Sequence, residues 1–252
     1  MFADITVEII FAYFIVFCRI GSAIMLMPGL SESYISTRAR LVTALTITIV
    51  VTPLLEKLIP PMPKSTIGFM LIVMAEVIIG ILIGSIAKIL LSAIHVAGQT
   101  ISFQIGLSAA NIFDPSQGGQ SSTVGMFLNT VAILLIFTTD LHHIFLTGVV
   151  DSYHLFNPAN ALPIGGFTDL VTKTVSSSFL IGIKIAAPQL VIGLLLFLGA
   201  GVMGRLMPQM QVFFVLMPLQ IMIGFFIIMV TLSAGMMMFI NFYGETLANF
   251  IN

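Results

Sequence analysis

Long apolar stretches are the feature that most limits how this chain can fold. Six of them run near residues 5–27, 39–59, 66–97, 123–150, 175–204 and 211–243, and each reaches the roughly 18 residues expected of a membrane-spanning helix. Charged residues make up 8% of the chain, whereas a soluble domain has about 25%. The sequence therefore predicts an all-α, integral membrane-type protein of long, partly broken helices arranged in hairpins.

The segments that connect these stretches contain proline or glycine, which can end a helix. They include MPGLSES, IPPMPKST, FNPANALPIGG and MPQMQ. The runs 66–105 and 168–206 exceed the roughly 20 residues that cross a bilayer. Their helices are therefore expected to tilt, to project beyond the membrane or to break, with Pro188 as a candidate kink. The segment 157–166 is the best candidate for a domain boundary.

Charge and motif content exclude several classes of function. The net charge is -1 and the basic residues do not cluster, so the electrostatic footprint of a nucleic-acid-binding protein is missing. No P-loop motif occurs, and we expect no ATP hydrolysis. The single Cys18 can form no internal disulfide and is typical of a small buried hydrophobe.

Charged residues interrupt the apolar stretches at five positions, which are Arg19, Glu76, Lys88, Lys184 and Arg205. A charge at the centre of a membrane helix costs at least about 2.5–3.5 kcal/mol, so these residues need partners or water. Snorkelling towards the interface is the simpler alternative and suits Arg19 and Arg205, which lie near predicted helix ends. Together with Gln209, the five residues are predicted to make polar contacts inside the membrane or between subunits.

Glu76 and Lys88 are not expected to pair with each other, because twelve residues of helix point them about 120° apart. Their counter-charges are expected on another helix, of this chain or of another subunit. Nearby, Gly80 and Gly84 have the small-xxx-small spacing that lets two helices approach closely, although this pattern is also common by chance.

The stretch TTDLHHIF places Asp140, His142 and His143 close together. A metal site is one interpretation, but zinc needs three or four ligands and the sequence has neither an HExxH motif nor a pair of cysteines. A helix capped by Asp140, with the histidines at the membrane interface, is the other. We expect the cap, and we predict no metal and no cofactor.

A polar segment, NIFDPSQGGQSS at residues 111–122, separates two apolar stretches. Its glycines and amides tolerate tight turns and hydrogen-bond many partners, and Asp114 before Pro115 favours a turn. Non-helical backbone at membrane depth persists only where it is buried in protein or faces a water-filled cavity. From the residues alone, an ordinary exposed loop between helices is the simpler alternative.

Four stretches resemble the FliR family, the flagellar member of the type III secretion export-gate proteins. They are CRIGSAIMLMPGLSE at 18–32, GQTISFQIGLSAANIFDPSQGGQ at 98–120, DLHHIFLTGVVDSY at 140–153 and AAPQLVIGLLLFLGAGVMGRLMPQMQVFF at 186–214. The second and fourth are the most specific, and the likeness covers essentially the whole chain. Ile35 and Ser36 stand where family members often have Val-Pro, which bears on the geometry of that loop alone.

The resemblance implies a non-enzymatic subunit, present in one copy, that assembles with FliP-like and FliQ-like subunits. No cofactor is expected. FlhB-like and FlhA-like export components are implied as further partners, in the bacterial inner membrane at the flagellar basal body. Unfolded flagellar proteins would pass through the assembled channel, with energy supplied elsewhere. The implied division is a FliP-like helical part over 1–160 and a FliQ-like helical hairpin over 161–252.

The resemblance also implies a plug loop inside the closed channel. Its candidate residues are Gly106, Asn111, Phe113, Asp114, Pro115, Ser116, Gln117, Gly118, Gly119 and Gln120. Phe113 would give the loop an apolar tip.

Three alternatives stay open. The chain could serve a virulence-type injectisome in place of a flagellum. A secondary transporter would bind a small solute or a proton at Glu76 and Lys88, although no internal repeat is visible. A membrane enzyme would use Asp140 with His142 and His143 and would depend on a metal.

Overall fold

The computed structural model describes residues 7–55, 58–107, 122–156, 164–207 and 212–251. These ranges contain seven α-helices and no strand. The helices are α1 (Val7–Leu26), α2 (Thr37–Leu55), α3 (Thr66–Ile105), α4 (Thr123–Thr138), α5 (Leu141–Leu155), α6 (Ile164–Leu206) and α7 (Val212–Ile251). The predicted all-α class is confirmed. Five helices are long and apolar enough to cross a membrane, or six spans if α4 and α5 together count as one.

Three helices are much longer than one bilayer crossing requires. Helices α3, α6 and α7 contain 40, 43 and 40 residues, which at 1.5 Å per residue makes each about 60 Å long. All three are continuous, so the alternative that the long runs break is wrong. Pro188 lies inside α6 without ending it, as neighbouring helices in a membrane protein allow.

The apolar stretch at 123–150 is divided, although we expected a single helix. Helix α4 ends at Thr138, and Asp140 adopts φ 58° and ψ 15° before α5 begins. A left-handed residue cannot continue a right-handed helix, and aspartate is one of the few non-glycine residues that adopt this conformation. Hydropathy does not depend on the backbone conformation of a single residue. The apolar pattern therefore predicts one helix here.

The chain forms two compact units, each assembled from separate chain segments. The first unit comprises Met1–Leu90, Thr139–Val175 and Gly244–Asn252, and the second comprises Leu91–Thr138 and Ser176–Tyr243. Ile15, Ile20 and Phe145 are among the fully buried core residues of the first unit, and Ile94, Ala132 and Phe239 are among those of the second. The division into a FliP-like part and a FliQ-like hairpin stays a prediction, and residues 157–163 of its boundary lie outside the described ranges.

The loop between α1 and α2 is held by the first turn of α2. Ser36 Oγ accepts a hydrogen bond from the backbone N–H of Ala39 at 3.3 Å, which is the arrangement of an N-cap. Arg40 donates to the carbonyl oxygens of Glu32 at 2.5 Å and Ile35 at 3.0 Å. Ser36 therefore caps the start of α2.

Candidate functional site

Helices α1 and α3 approach closely at two glycines of α3. A Cβ on Gly80 would overlap Ser22 Oγ and the carbonyl oxygen of Arg19, and a Cβ on Gly84 would lie 2.9 Å from the carbonyl oxygen of Ala23. A residue with a side chain would force the two backbones apart. The close approach that the spacing of Gly80 and Gly84 permits is therefore present, and both of its helices belong to this chain.

Arg19 and Glu76 form an ion pair inside the first unit. Arg19 Nε donates to Glu76 Oε2 at 2.7 Å, and Arg19 Nη2 donates to Glu76 Oε1 at 2.8 Å. Both side chains are fully buried, and the two parallel bonds are the fork geometry that a guanidinium makes with a carboxylate. Arg19 therefore does not snorkel, and the counter-charge of Glu76 lies on another helix of the same chain.

Groups at the carboxyl end of α5 accept further hydrogen bonds from Arg19. Arg19 Nη1 donates to Ser152 Oγ at 3.1 Å, and Arg19 Nη2 donates to the carbonyl oxygen of Phe156 at 2.9 Å. Phe156 directly follows the last residue of α5, where helix carbonyls lack intrahelical donors. One buried guanidinium thus connects α1, α3 and α5.

Tyr153 completes the surroundings of Arg19. The guanidinium Cζ lies 3.8 Å from the centroid of the Tyr153 ring, well within the roughly 6 Å of a cation–π contact. The sequence alone does not predict Ser152 and Tyr153 as partners of Arg19. The available signal is the polar Ser-Tyr pair near the end of an apolar stretch, but tertiary packing alone shows which charge the pair meets.

This arrangement acts as a structural connection between helices. Removing one member of such a buried pair costs about 3–5 kcal/mol, because the other charge stays buried without compensation. Both carboxylate oxygens of Glu76 are bound to Arg19, and the side chain is inaccessible to a solute. Of the two charges that a secondary transporter would use, Glu76 is therefore already occupied by Arg19.

The other charged residues of the apolar stretches have a different environment. Lys88, Lys184 and Arg205 are exposed on α3 and α6, and no ion pair joins any of them to another described residue. Their role as contacts to other subunits stays a prediction. Gln209 lies outside the residues that the structure describes.

The Asp140 cluster shows neither the predicted cap nor a closed metal site. Asp140 precedes α5, but its side chain makes no capping hydrogen bond, so the cap prediction is wrong. Its left-handed backbone is the physical reason, since a capping residue normally has extended dihedral angles. The ligand atoms of Asp140, His142 and His143 lie within 4.8 Å of one another. Asp140 and His143 are exposed, and structural zinc sites use four ligands.

Helix α3 ends at the start of the predicted plug segment. Gly106 follows α3 with φ 83°, and its N–H donates to the carbonyl oxygen of Phe103 at 3.1 Å, as glycine commonly does at a helix end. An apolar cavity of about 430 Å³ has Leu107 and Thr123 in its lining, from both sides of the segment. The other nine plug candidates, from Asn111 to Gln120, lie outside the described residues, so the plug stays a prediction.

Comparison with known proteins assigns the family. The family model for bacterial export proteins, family 1, matches residues 10–246. The chain belongs to this family. The matched range of this export-family chain includes the Arg19–Glu76 pair, the close contact at Gly80 and Gly84, and the glycine that ends α3.

Three similar proteins from different bacteria are all named flagellar biosynthetic protein FliR. The flagellar biosynthetic protein FliR of Caulobacter vibrioides is 36% identical over 233 residues, which are 92% of this chain and 93% of that protein. The FliR of Bacillus subtilis is 29% identical over 244 residues, 96% of this chain and 93% of that protein. The FliR of Escherichia coli is 30% identical over 219 residues, which are 84% of this chain and 80% of that protein. The resemblance to the FliR family is confirmed.

Proposed function

We propose that this chain is a non-enzymatic subunit of the flagellar type III protein export gate and forms part of the channel for unfolded flagellar proteins. The observation that carries the proposal is the export-family match over residues 10–246. The proposal includes one copy of this chain per gate, FliP-like and FliQ-like subunits around it, and FlhB-like and FlhA-like components beside it. The site of action is the inner membrane at the flagellar basal body.

The apolar surface of α6 supports assembly with further helices. Exposed apolar side chains extend along this helix from Phe179 to Leu206, a length of roughly 40 Å at 1.5 Å per residue. The hydrocarbon of a bilayer is about 30 Å thick, and average helices tilt by about 20°. Lipid alone would leave part of this surface in water, whereas neighbouring protein helices would cover it.

The proposed plug of the closed channel is the segment from Gly106 to Gln120. The left-handed Gly106 ends α3 and directs the chain out of the helix, which a plug loop requires. The glycine pair at 118–119 and the amides of Gln117 and Gln120 would let the loop fill a passage and still rearrange. Phe113 would supply the apolar contact that seals it.

Copurification tests the proposed function. Coexpressed with the FliP-like and FliQ-like subunits of its own cell, the tagged chain should yield one complex whose intact mass includes a single 27.2 kDa copy. Expressed alone, it should aggregate or be degraded, because its apolar faces lack cover. A monodisperse monomer that binds neither subunit would contradict the proposal. A gene deletion that stops effector secretion and leaves motility intact would assign the chain to an injectisome.

Deletion of residues 113–120 tests the plug. The complex should still assemble, since the described helix contacts do not use these residues. Its ion conductance in a planar bilayer should rise well above that of the unaltered complex, because the passage would lose its obstruction. Unchanged conductance of a correctly assembled complex would exclude a plug at this position.

A further inference from the structure

Three glutamines of the second unit face three glycines in a closed cycle around α3, α6 and α7. The pairs are Gln104 of α3 with Gly193 of α6, Gln189 of α6 with Gly224 of α7, and Gln220 of α7 with Gly106 at the end of α3. Each helix therefore supplies an amide to one neighbour and a glycine to the other. We refer to Gln104, Gln189 and Gln220 as the glutamine ring.

The glycines give the amides the space that they occupy. A Cβ on Gly193 would lie 2.7 Å from Gln104 Nε2, and a Cβ on Gly224 would lie 3.1 Å from Gln189 Nε2. Real side-chain carbons are rarely found so close to another heavy atom. Substitution of Gly193 would therefore displace the Gln104 amide, and substitution of Gly224 would press on Ile105 Cγ1 at 2.5 Å as well as on the Gln189 amide.

Hydrogen bonds of the ring attach the end of α3 to both neighbouring helices. Gln220 Nε2 donates to the backbone carbonyl of Gln104, and Gln104 Nε2 donates to the carbonyl oxygen of Leu190 at 3.4 Å. Because α3 ends at Ile105, the Gln104 carbonyl is one of the last four of the helix, which lack intrahelical donors. Gln220 thus caps α3 from another helix.

Two members of the ring are buried and Gln104 is half-buried, and the ring is not saturated with hydrogen bonds. Gln189 and Gln220 are 4% and 6% exposed, and Gln189 Oε1 has no hydrogen-bond partner among the described residues. A neutral amide can exchange one partner for another without leaving a buried charge behind. A spare acceptor within the ring lowers the cost of such an exchange.

We propose that the glutamine ring is a latch that holds the carboxyl end of α3 in its closed position and releases it by exchanging amide hydrogen bonds. Gln220 binds the last turn of α3, Gln104 binds α6, and the free oxygen of Gln189 is the acceptor that an incoming donor can use. The latch itself rests on the described contacts of the second unit. Its effect on protein passage rests on the proposed function, because Gly106 begins the proposed plug.

The decisive experiment replaces the amides by methionine, which has a similar length and donates no hydrogen bond. Gln220→Met and Gln104→Met are compared with Gln99→Met, which alters an exposed glutamine of the same helix. Gln220→Asn serves as a second variant, because its shorter amide does not reach the Gln104 carbonyl. All four are prepared as coexpressed complexes, and hydrogen exchange of residues 100–107 and bilayer conductance are measured.

We expect exchange at 100–107 and conductance per assembled complex to rise roughly fivefold in the Gln220 variants, the shift produced by losing about one net hydrogen bond. Residues 141–155 should exchange as in the unaltered complex, and Gln99→Met should change neither readout. Exchange at 100–107 equal to that of Gln99→Met would overturn the latch. Failure of both Gln220 variants to assemble, while Gln99→Met assembles, would also overturn it, since the amides would then be needed for folding alone.

The plug deletion separates this proposal from the proposed function. One outcome is that the deletion raises conductance while Gln220→Met raises neither conductance nor hydrogen exchange at residues 100–107. This outcome refutes the latch and supports the plug. The opposite outcome is that the deletion leaves conductance unchanged while Gln220→Met exchanges faster at residues 100–107. This outcome refutes the plug and supports the latch.

Discussion

The two compact units bury polar side chains in apolar helices in different ways. In the first unit, Arg19 and Glu76 carry full opposite charges and are joined by two short hydrogen bonds. In the second unit, the glutamine ring is neutral, and one of its buried oxygens has no partner among the described residues. Glycines permit the close contact in both units, at Gly80 in the first and at Gly193 in the second.

The difference indicates which unit is suited to stay fixed. Separating a buried ion pair leaves two charges without compensation and costs several kcal/mol, so the helices that it joins are held in one arrangement. An amide hydrogen bond contributes about 0.5–1.5 kcal/mol net and can be exchanged for another. The helices joined by the ion pair in the first unit therefore resemble a scaffold, and the glutamine ring of the second unit has the energetics of a part that moves.

The largest effect is expected from breaking the charged pair. Arg19→Met leaves Glu76 buried without its partner, which should lower the free energy of unfolding by about 3–5 kcal/mol. The recovered amount of assembled complex and its thermal midpoint would both fall sharply. Recovery and midpoint equal to those of the unaltered complex would show that the pair does not hold the first unit.

A double variant is the matched control for that experiment. Arg19→Met combined with Glu76→Leu removes both charges, and such replacements are often neutral or stabilising when the volume is kept. We expect it to regain most of the stability that the single variant loses. The remaining deficit would reflect the bonds of Arg19 to Ser152 and Phe156 together with its contact to the Tyr153 ring.

A smaller effect, and a finer test of the comparison, is expected from alanine at the glycines. Gly80→Ala should lower the free energy of unfolding by about 1–3 kcal/mol, as overpacking does, because its Cβ would overlap a backbone carbonyl. Gly193→Ala should cost less, because its Cβ meets the flexible end of Gln104.

Alanine at glycines without close neighbours controls for helix propensity. Gly166 in the first unit and Gly201 in the second have no described atom within 4 Å of an added Cβ, and alanine there should raise helix stability by up to about 1 kcal/mol. Thermal midpoints of the assembled complexes would rank the four variants. If Gly193→Ala lowered the thermal midpoint as much as Gly80→Ala, the amides of the glutamine ring would not move aside as proposed.

Some of the site could be predicted from the sequence because it depends on local spacing. Gly80 and Gly84 lie four residues apart, and this spacing alone places both on one face of a helix. The glutamine ring has a comparable signal in the sequence. QLVIG in α6 and QIMIG in α7 each place a glycine four residues after a glutamine.

Other parts of the site could not be predicted, since they depend on contacts between distant residues. Arg19 and Glu76 are separated by 57 positions, and Arg19 and Ser152 by 133, so no periodicity relates them. The break at Asp140 was missed for a different reason. One left-handed residue ends a helix without changing the hydropathy around it.

The sequence by itself determined the helical class, the excess of apolar length over one bilayer crossing, and the export family. These follow from composition, from period and from motifs that are read along the chain. Tertiary structure decided that Arg19 turns inward to Glu76, that Lys88 and Lys184 stay exposed, and that three amides close a cycle. A buried polar group is stable only beside a matching partner, and the partner is brought there by packing between helices.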